Sequence, residues 1–201
     1  WYANDGKGQF GPQQVITTDA DGVQSAYAAD LDGDGDLDVL SASSEDSKIA
    51  WYTNDGTGQF GPQQVITTAA GAICVYAADL DGDGDMDVVL SAGDAIAWYA
   101  NDGMGQFGPQ EVITTAAGAN CVYAADLDGD GDLDVLSASY EGNKIAWYAN
   151  DGTGQFGRQQ VISTAAVGAI CVYAADLDGD GDLDVLSASY YDDKIAWYEN
   201  E

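Results

Sequence analysis

Apolar residues in this chain come in short runs separated by clusters of Gly, Asp and Asn. Between Cys74 and Thr115 the runs read "CVYAAD", "DVVLSA", "AIAWYA" and "PQEVITT". Runs of this length, rich in Val, Ile, Tyr and Trp and bounded by turn residues, predict β-strands, and no stripe of period 3.6 is long enough for a helix. We label the four strands a to d in that order. Most successive positions within them are apolar rather than alternating, so both faces of the resulting sheet are expected to be covered.

The pattern repeats. Trp-Tyr recurs at Trp1, Trp51, Trp98, Trp147 and Trp197, 50, 47, 49 and 50 residues apart. A four-stranded unit of about fifty residues that needs neighbours on both faces is a propeller blade. The expected fold is therefore all-β: a β-propeller array over residues 1–201, with four near-identical four-stranded blades at about 23–68, 72–115, 119–164 and 169–201. The last blade reaches only strand c. Its missing strand d is expected from Pro12–Thr18, closing the ring by strand exchange between termini. Exchange between two chains, head to tail, would give an eight-bladed dimer, or a filament where the contact does not close. The turn between c and d, "NDGTGQFGPQ" from Asn54 to Gln63, contains G-x-G-x-x-G at Gly56, Gly58 and Gly61. It leads into a β-like run and not a helix, so it is no dinucleotide fingerprint.

Charge narrows the function. Of 201 residues, 35 are Asp or Glu, five are Lys or Arg and none is His, giving a formal net charge of −30. A polyanion of this kind does not attract nucleic acid or an anionic membrane surface, and no apolar run is long enough to insert in a membrane. Cations are the natural partner. Three cysteines, Cys74, Cys121 and Cys171, share one place in strand a, where the first copy has Ser25. They read as small strand residues, with inter-blade disulfides a secondary option; their odd number leaves at least one free thiol.

The carboxylates concentrate in the a–b loop. "DLDGDGDLD" supplies Asp30, Asp32, Asp34, Asp36 and Asp38 in the first copy. The loop returns as Asp79, Asp81, Asp83, Asp85 and Asp87, as Asp126, Asp128, Asp130, Asp132 and Asp134, and as Asp176, Asp178, Asp180, Asp182 and Asp184. Five like charges in nine residues repel one another, so an intact fourfold arrangement implies a cation. Ca²⁺ takes about six to eight oxygens, and carboxylates at alternate positions of a tight loop supply them. Positions 1, 3, 5 and 9 are expected to give side chains and position 7 its backbone carbonyl, with Gly35 permitting the bend. Four Ca²⁺ per chain follow. Mg²⁺ fits less well because it demands a smaller octahedron, and zinc lacks its usual His and Cys ligands here.

These residues resemble a known family. "DLDGDGDLDVL" with "GQFGPQ", whose Phe-Gly falls at Phe10, Phe60, Phe107 and Phe156, is similar to the FG-GAP or VCBS repeats of integrin-α-like and bacterial extracellular β-propellers. The resemblance implies a calcium loop of the form D-x-D-x-D-G-x-x-D between two strands of each blade, matched in all four copies.

Three function classes compete. Structural calcium and a propeller suit a secreted or cell-surface scaffold for adhesion or assembly, since extracellular calcium fills sites as weak as about 10⁻⁴–10⁻³ M. A lectin is the alternative, with Tyr140, Tyr190 and Tyr191 in the b–c turns as candidates to stack on a sugar ring. The Trp residues of "AWY" are expected in the blade-to-blade core instead. An enzyme is not expected: there is no His, and carboxylates pair only inside loops that recur in every copy.

Overall fold

The computed structural model describes residues 1–115 and 118–200. A hairpin of β1 (Tyr2–Asn4) and β2 (Phe10–Gln13) opens the chain. The first sheet holds β3 (Val23–Ala29), β4 (Asp38–Ser43), β5 (Lys48–Tyr52) and β6 (Gln64–Thr68). The second holds β7 (Ala72–Ala78), β8 (Asp87–Ala92), β9 (Ala95–Tyr99) and β10 (Glu111–Thr114). The third holds β11 (Ala119–Ala125), β12 (Asp134–Ser139), β13 (Lys144–Tyr148) and β14 (Gln160–Ser163). The fourth sheet has three strands, β15 (Ala169–Ala175), β16 (Asp184–Ser189) and β17 (Lys194–Tyr198). All pairings are antiparallel between strands consecutive in sequence. The elements are thus strands a to d of the sequence pattern, repeated.

Burial on both faces explains the continuous apolar runs. In β8 every residue is buried; Val88 and Leu90 face the first sheet, while Val89 faces the third. Each interface reuses the same positions. Leu31, Leu40, Ile49 and Trp51 of the first sheet meet Ala72, Val75, Val88 and Tyr99 of the second, and Leu80, Ile96 and Trp98 of the second meet Ala119, Val122, Val135 and Tyr148 of the third. Strand a of each sheet packs on strand a of the next. A ladder of tyrosines marks that inner edge, with ring centroids 4.4 Å apart for Tyr27–Tyr76, 4.9 Å for Tyr76–Tyr123 and 4.8 Å for Tyr123–Tyr173.

The two ends of the stack differ from its middle. Leu31 and Ile49 are 0% exposed and Trp51 4%, but their counterparts in the fourth sheet, Leu177, Ile195 and Trp197, are 48%, 81% and 47% exposed. The outer edge of β17 is unpaired among the described residues. At the other end, the expected strand d at residues 12–18 forms a ladder only as far as Gln13. Trp1 and Gln14 add two backbone bonds of 2.7 Å each, and there the ladder stops, because strand c of this unit is represented by little more than Trp1 and Tyr2. Val15 and Ile16 instead line an open cavity against Val23, Val39 and Tyr52 of the first sheet. Among the described residues of the single chain, the terminal strands do not pair with one another.

Candidate metal centres

Each acidic loop closes the hairpin between strands a and b, and hydrogen bonds from its own backbone shape it. In the first copy Asp30 accepts from Gly33 N at 2.8 Å and from Gly35 N at 2.9 Å, which draws the loop around its first carboxylate. The bend needs Gly35, whose φ of 91° is unfavourable for any residue with a Cβ. Asp38, at the start of β4, is buried and accepts from Leu31 N at 3.0 Å and Asn54 N at 2.8 Å. The other copies repeat this: Asp87 accepts from Leu80 N and Asn101 N, Asp134 from Leu127 N and Asn150 N, and Asp184 from Leu177 N and Asn200 N, all between 2.9 and 3.0 Å.

Positions 1, 3 and 9 converge. One carboxylate oxygen each from Asp30, Asp32 and Asp38 lies within 4.8 Å of the others, and so for Asp79, Asp81 and Asp87, for Asp126, Asp128 and Asp134, and for Asp176, Asp178 and Asp184. Position 5 lies outside this triad: Asp34 Oδ1 accepts from Asp36 N at 2.9 Å, and Asp83, Asp130 and Asp180 repeat the bond to Asp85, Asp132 and Asp182. The position 7 side chains turn toward the c–d turn of the same blade, where a Cβ on Gly103 would come within 2.5 Å of Asp85 and one on Gly152 within 2.5 Å of Asp132.

The donor set fits a hard cation. Asp32 Oδ1 is buried and has no hydrogen-bond partner, although it sits beside two further carboxylates. A carboxylate oxygen that accepts one N–H keeps a second lone pair, so even Asp38 retains an acceptor for a metal. Without a cation the arrangement resists ionisation. Burial pushes Asp38 up from the ordinary carboxylate range, takes Asp87 to about 7 and takes Asp134 to about 6. Burial, followed by repulsion from the position 5 carboxylate, also raises Asp32 and Asp81. A divalent ion among these oxygens would reverse that balance.

Sequence reasoning missed one group of residues. Asn101 donates through Nδ2 to Met86 O of its own loop at 3.0 Å and to Leu31 O of the preceding loop at 2.9 Å. Asn150 joins Leu133 O and Leu80 O at 3.0 and 2.7 Å, and Asn200 joins Leu183 O and Leu127 O at 3.4 and 2.8 Å. These asparagines therefore clasp each acidic loop to the one before it. Their signal was present as an Asn at a fixed place in every "WYxN", where turn chemistry alone accounted for it. The aromatic expectations come out in two parts. Trp51 and Trp98 are buried between blades, edge-on to Phe107 and Phe156 at 6.3 and 6.4 Å. Tyr140, Tyr190 and Tyr191 gather at one rim, with centroids 5.4 Å apart for Tyr140–Tyr191 and 5.2 Å for Tyr190–Tyr191.

Comparison with known proteins agrees with this architecture. The fold is similar to an Agrocybe aegerita lectin described as recognising non-reducing terminal N-acetylglucosamine, at 23% identity and a TM-score of 0.67, over 92% of this chain and 53% of the lectin. It is also similar to the biofilm matrix protein Bap1 of V. cholerae, at 20% identity and a TM-score of 0.54, over 87% of this chain and 26% of Bap1. The chain thus spans about half of the lectin and a quarter of Bap1. None of the curated proteins matches the sequence. The model of the FG-GAP-like repeat matches residues 1–41, 30–90, 88–137 and 126–187, four overlapping matches that each include at least one whole acidic loop, and the chain belongs to this FG-GAP-like repeat family.

Proposed function

We propose that the chain is a calcium-stabilised extracellular scaffold for adhesion or assembly, with one structural Ca²⁺ in each of its four acidic loops. The convergence of three carboxylates per loop, one of them buried at the root of a strand, carries this reading. Side chains, the position 7 carbonyl and water complete an oxygen shell of the kind Ca²⁺ takes, and the ion fixes the hairpin that packs against the next blade. Titration calorimetry on the calcium-stripped chain tests it. Four equivalents are expected; fewer than three count against the assignment.

The scaffold reading extends to the ends of the stack. The uncovered face of the fourth sheet matches faces that are covered three times within the chain, so a second copy is its natural occupant. In the first sheet Ala50 pairs with Val65, Trp51 with Gln64 and Ile49 with Thr67. The same register between copies sets Ala196 on Val15, Trp197 on Gln14 and Ile195 on Thr17, and brings Ile195 to the cavity behind Val15 and Ile16. Trp1 now occupies the place of the incoming Trp197 on Gln14. Deleting Trp1–Asn4 should therefore preserve or strengthen a head-to-tail assembly, an eight-bladed dimer or a filament, whereas deleting Trp1–Thr18 should abolish it. Light scattering that finds the same oligomer after the longer deletion refutes the exchange.

A lectin is the second reading. The joined, solvent-facing rings of Tyr190 and Tyr191 favour it, since such faces stack on sugar rings. A glycan array on the chain and its Tyr191→Ala variant separates the readings: a signal lost in the variant supports the lectin, and none supports the scaffold alone.

A further inference from the structure

Ser25, Cys74, Cys121 and Cys171 stand at one register of strand a in successive blades, opposite Ala42, Ser91, Ala138 and Ala188 of strand b. The first three lean across to the next blade. Val75 N lies 3.5 Å from Ser25 Oγ. Val122 N donates to Cys74 Sγ at 3.4 Å, which sets that sulfur on the peptide leaving Cys121. Cys121 Sγ in turn reaches Val172 O at 3.9 Å, beside Cys171. The three thiols form a row with Cys121 between Cys74 and Cys171, each neighbouring pair bridged by a sulfur-to-backbone contact across the blades, and none is in a disulfide. Cys74 and Cys121 are half-buried, whereas Cys171 is exposed.

We propose that this row is a two-electron redox site, in which Cys121 becomes joined by a disulfide to Cys171 or to Cys74, and the remaining cysteine exchanges with the bond. Small-molecule disulfides are the class of oxidant that reaches it, entering at the exposed Cys171. The Cys171 thiolate attacks one sulfur of the reagent, forming a mixed disulfide and releasing one small thiolate. The Cys121 thiolate then attacks Cys171 Sγ, forming the inter-blade bond and releasing the second small thiolate. Two protein thiols have lost two electrons and two protons, which the reagent carries away as two thiols. Attack of the Cys74 thiolate on Cys121 Sγ then moves the bond to Cys74–Cys121 and frees Cys171, with no net change in electrons.

The electrostatics of the row favour the first attack, by Cys171, and the final exchange, by Cys74, and make deprotonation of Cys121 the slow middle step. The adjoining Cys121 thiol lowers Cys171 and Cys74, while Cys121, flanked by both, is raised. Thiolates thus form at the outer positions, where attack begins and where exchange starts. A net charge of −30 favours a cationic reagent over an anionic one.

The test uses the calcium-saturated full chain and cystamine, a small dicationic disulfide, followed by alkylation and non-reducing peptide mass spectrometry. One internal disulfide per chain is expected, divided between Cys121–Cys171 and Cys74–Cys121. Cys74→Ser should keep the Cys121–Cys171 bond, Cys171→Ser should form an internal bond at least tenfold more slowly because the exposed entry thiol is gone, and Cys121→Ser should lose it entirely, because a whole blade separates the outer thiols. Ser25 holds the equivalent place in the first blade, so serine fits the site. A Cys74–Cys171 bond, three mixed disulfides, or bridges between chains in place of an internal bond would overturn the proposal.

Discussion

Replacing Asp87 by Asn separates a metal-ligand role from a merely structural one. Asp87 is fully buried and accepts from Leu80 N and Asn101 N at 2.9 Å each. Asparagine keeps one acceptor but turns an NH₂ toward the other amide, so a buried donor is left unpaired, at a cost of about 1–3 kcal/mol. Removing the charge acts in the opposite direction, because burial raises the native carboxyl to about 7. In chelator these effects oppose each other, and the net change should stay within about 2 kcal/mol. In calcium the variant also loses the binding energy of its site. A loop of dissociation constant about 10 µM contributes about 2.7 kcal/mol at 1 mM Ca²⁺, since that is a hundredfold excess. Urea unfolding of both proteins, in 1 mM Ca²⁺ and in chelator, therefore gives four stabilities whose double difference is the coupling between Asp87 and calcium. A value near 2–3 kcal/mol is expected. A value of zero, with the variant equally destabilised in both buffers, would show that Asp87 braces the hairpin without holding a cation.

The pH dependence of stability should change sign with calcium. In chelator, Asp87 and Asp134 have native values of about 7 and about 6, above the ordinary aspartate value of 3.8, so their contribution is fully present below that value and is lost as pH rises through 6 to 7. In calcium, protons compete with the metal and stability should instead rise with pH over the same range; denaturation between pH 4 and 8 with one sign in both buffers refutes this. Asn150→Ala removes bonds of 2.7 and 3.0 Å to two loop carbonyls and should cost roughly 2–4 kcal/mol, with calcium affinity reduced at two loops instead of one. Gly105→Ala, at φ 72° and against the Trp51 indole, should cost roughly 2–4 kcal/mol, whereas Gly6→Ala, at φ 78° in open space, should cost only about 1–2; equal melting temperatures for the two variants would contradict the packing described.

The strands and loops were legible because several signals coincide in each repeat. Apolar runs such as "DVVLSA" carry the two-sided burial of β8, and the glycines of "DLDGDGDLD" mark the positive-φ bends. What escaped the sequence depends on neighbours. Asn101 looks like a turn residue until Leu31 of the previous blade comes within 2.9 Å of its amide. The spacing places both Asp34 and Asp38 in the loop's shell, but does not show that Asp34 also accepts from Asp36 N, or that Asp38 is buried and held in the triad by Leu31 N and Asn54 N. Residues 12–18 match the other d strands, but a strand needs a partner, and among the described residues the ladder runs no further than Gln14.

The clasp also bears on how the four loops act together. Each asparagine bonds the buried aspartate of its own loop through its backbone and a carbonyl of the preceding loop through its side chain. An ion that orders one loop therefore also fixes the amide group that holds the loop before it. Because blades contact only their neighbours, this coupling passes along the stack one step at a time, as expected of a quasi-one-dimensional array. It weakens at the ends: among the described residues Asn54 donates through Nδ2 to Leu37 O of its own loop alone, and Leu177 is exposed. A second copy seated on Leu177 would supply the missing Asn54, at the place where Asn101 meets Leu31. Assembly and calcium binding are then two readings of one contact, and filling the terminal loops should strengthen the joint between copies.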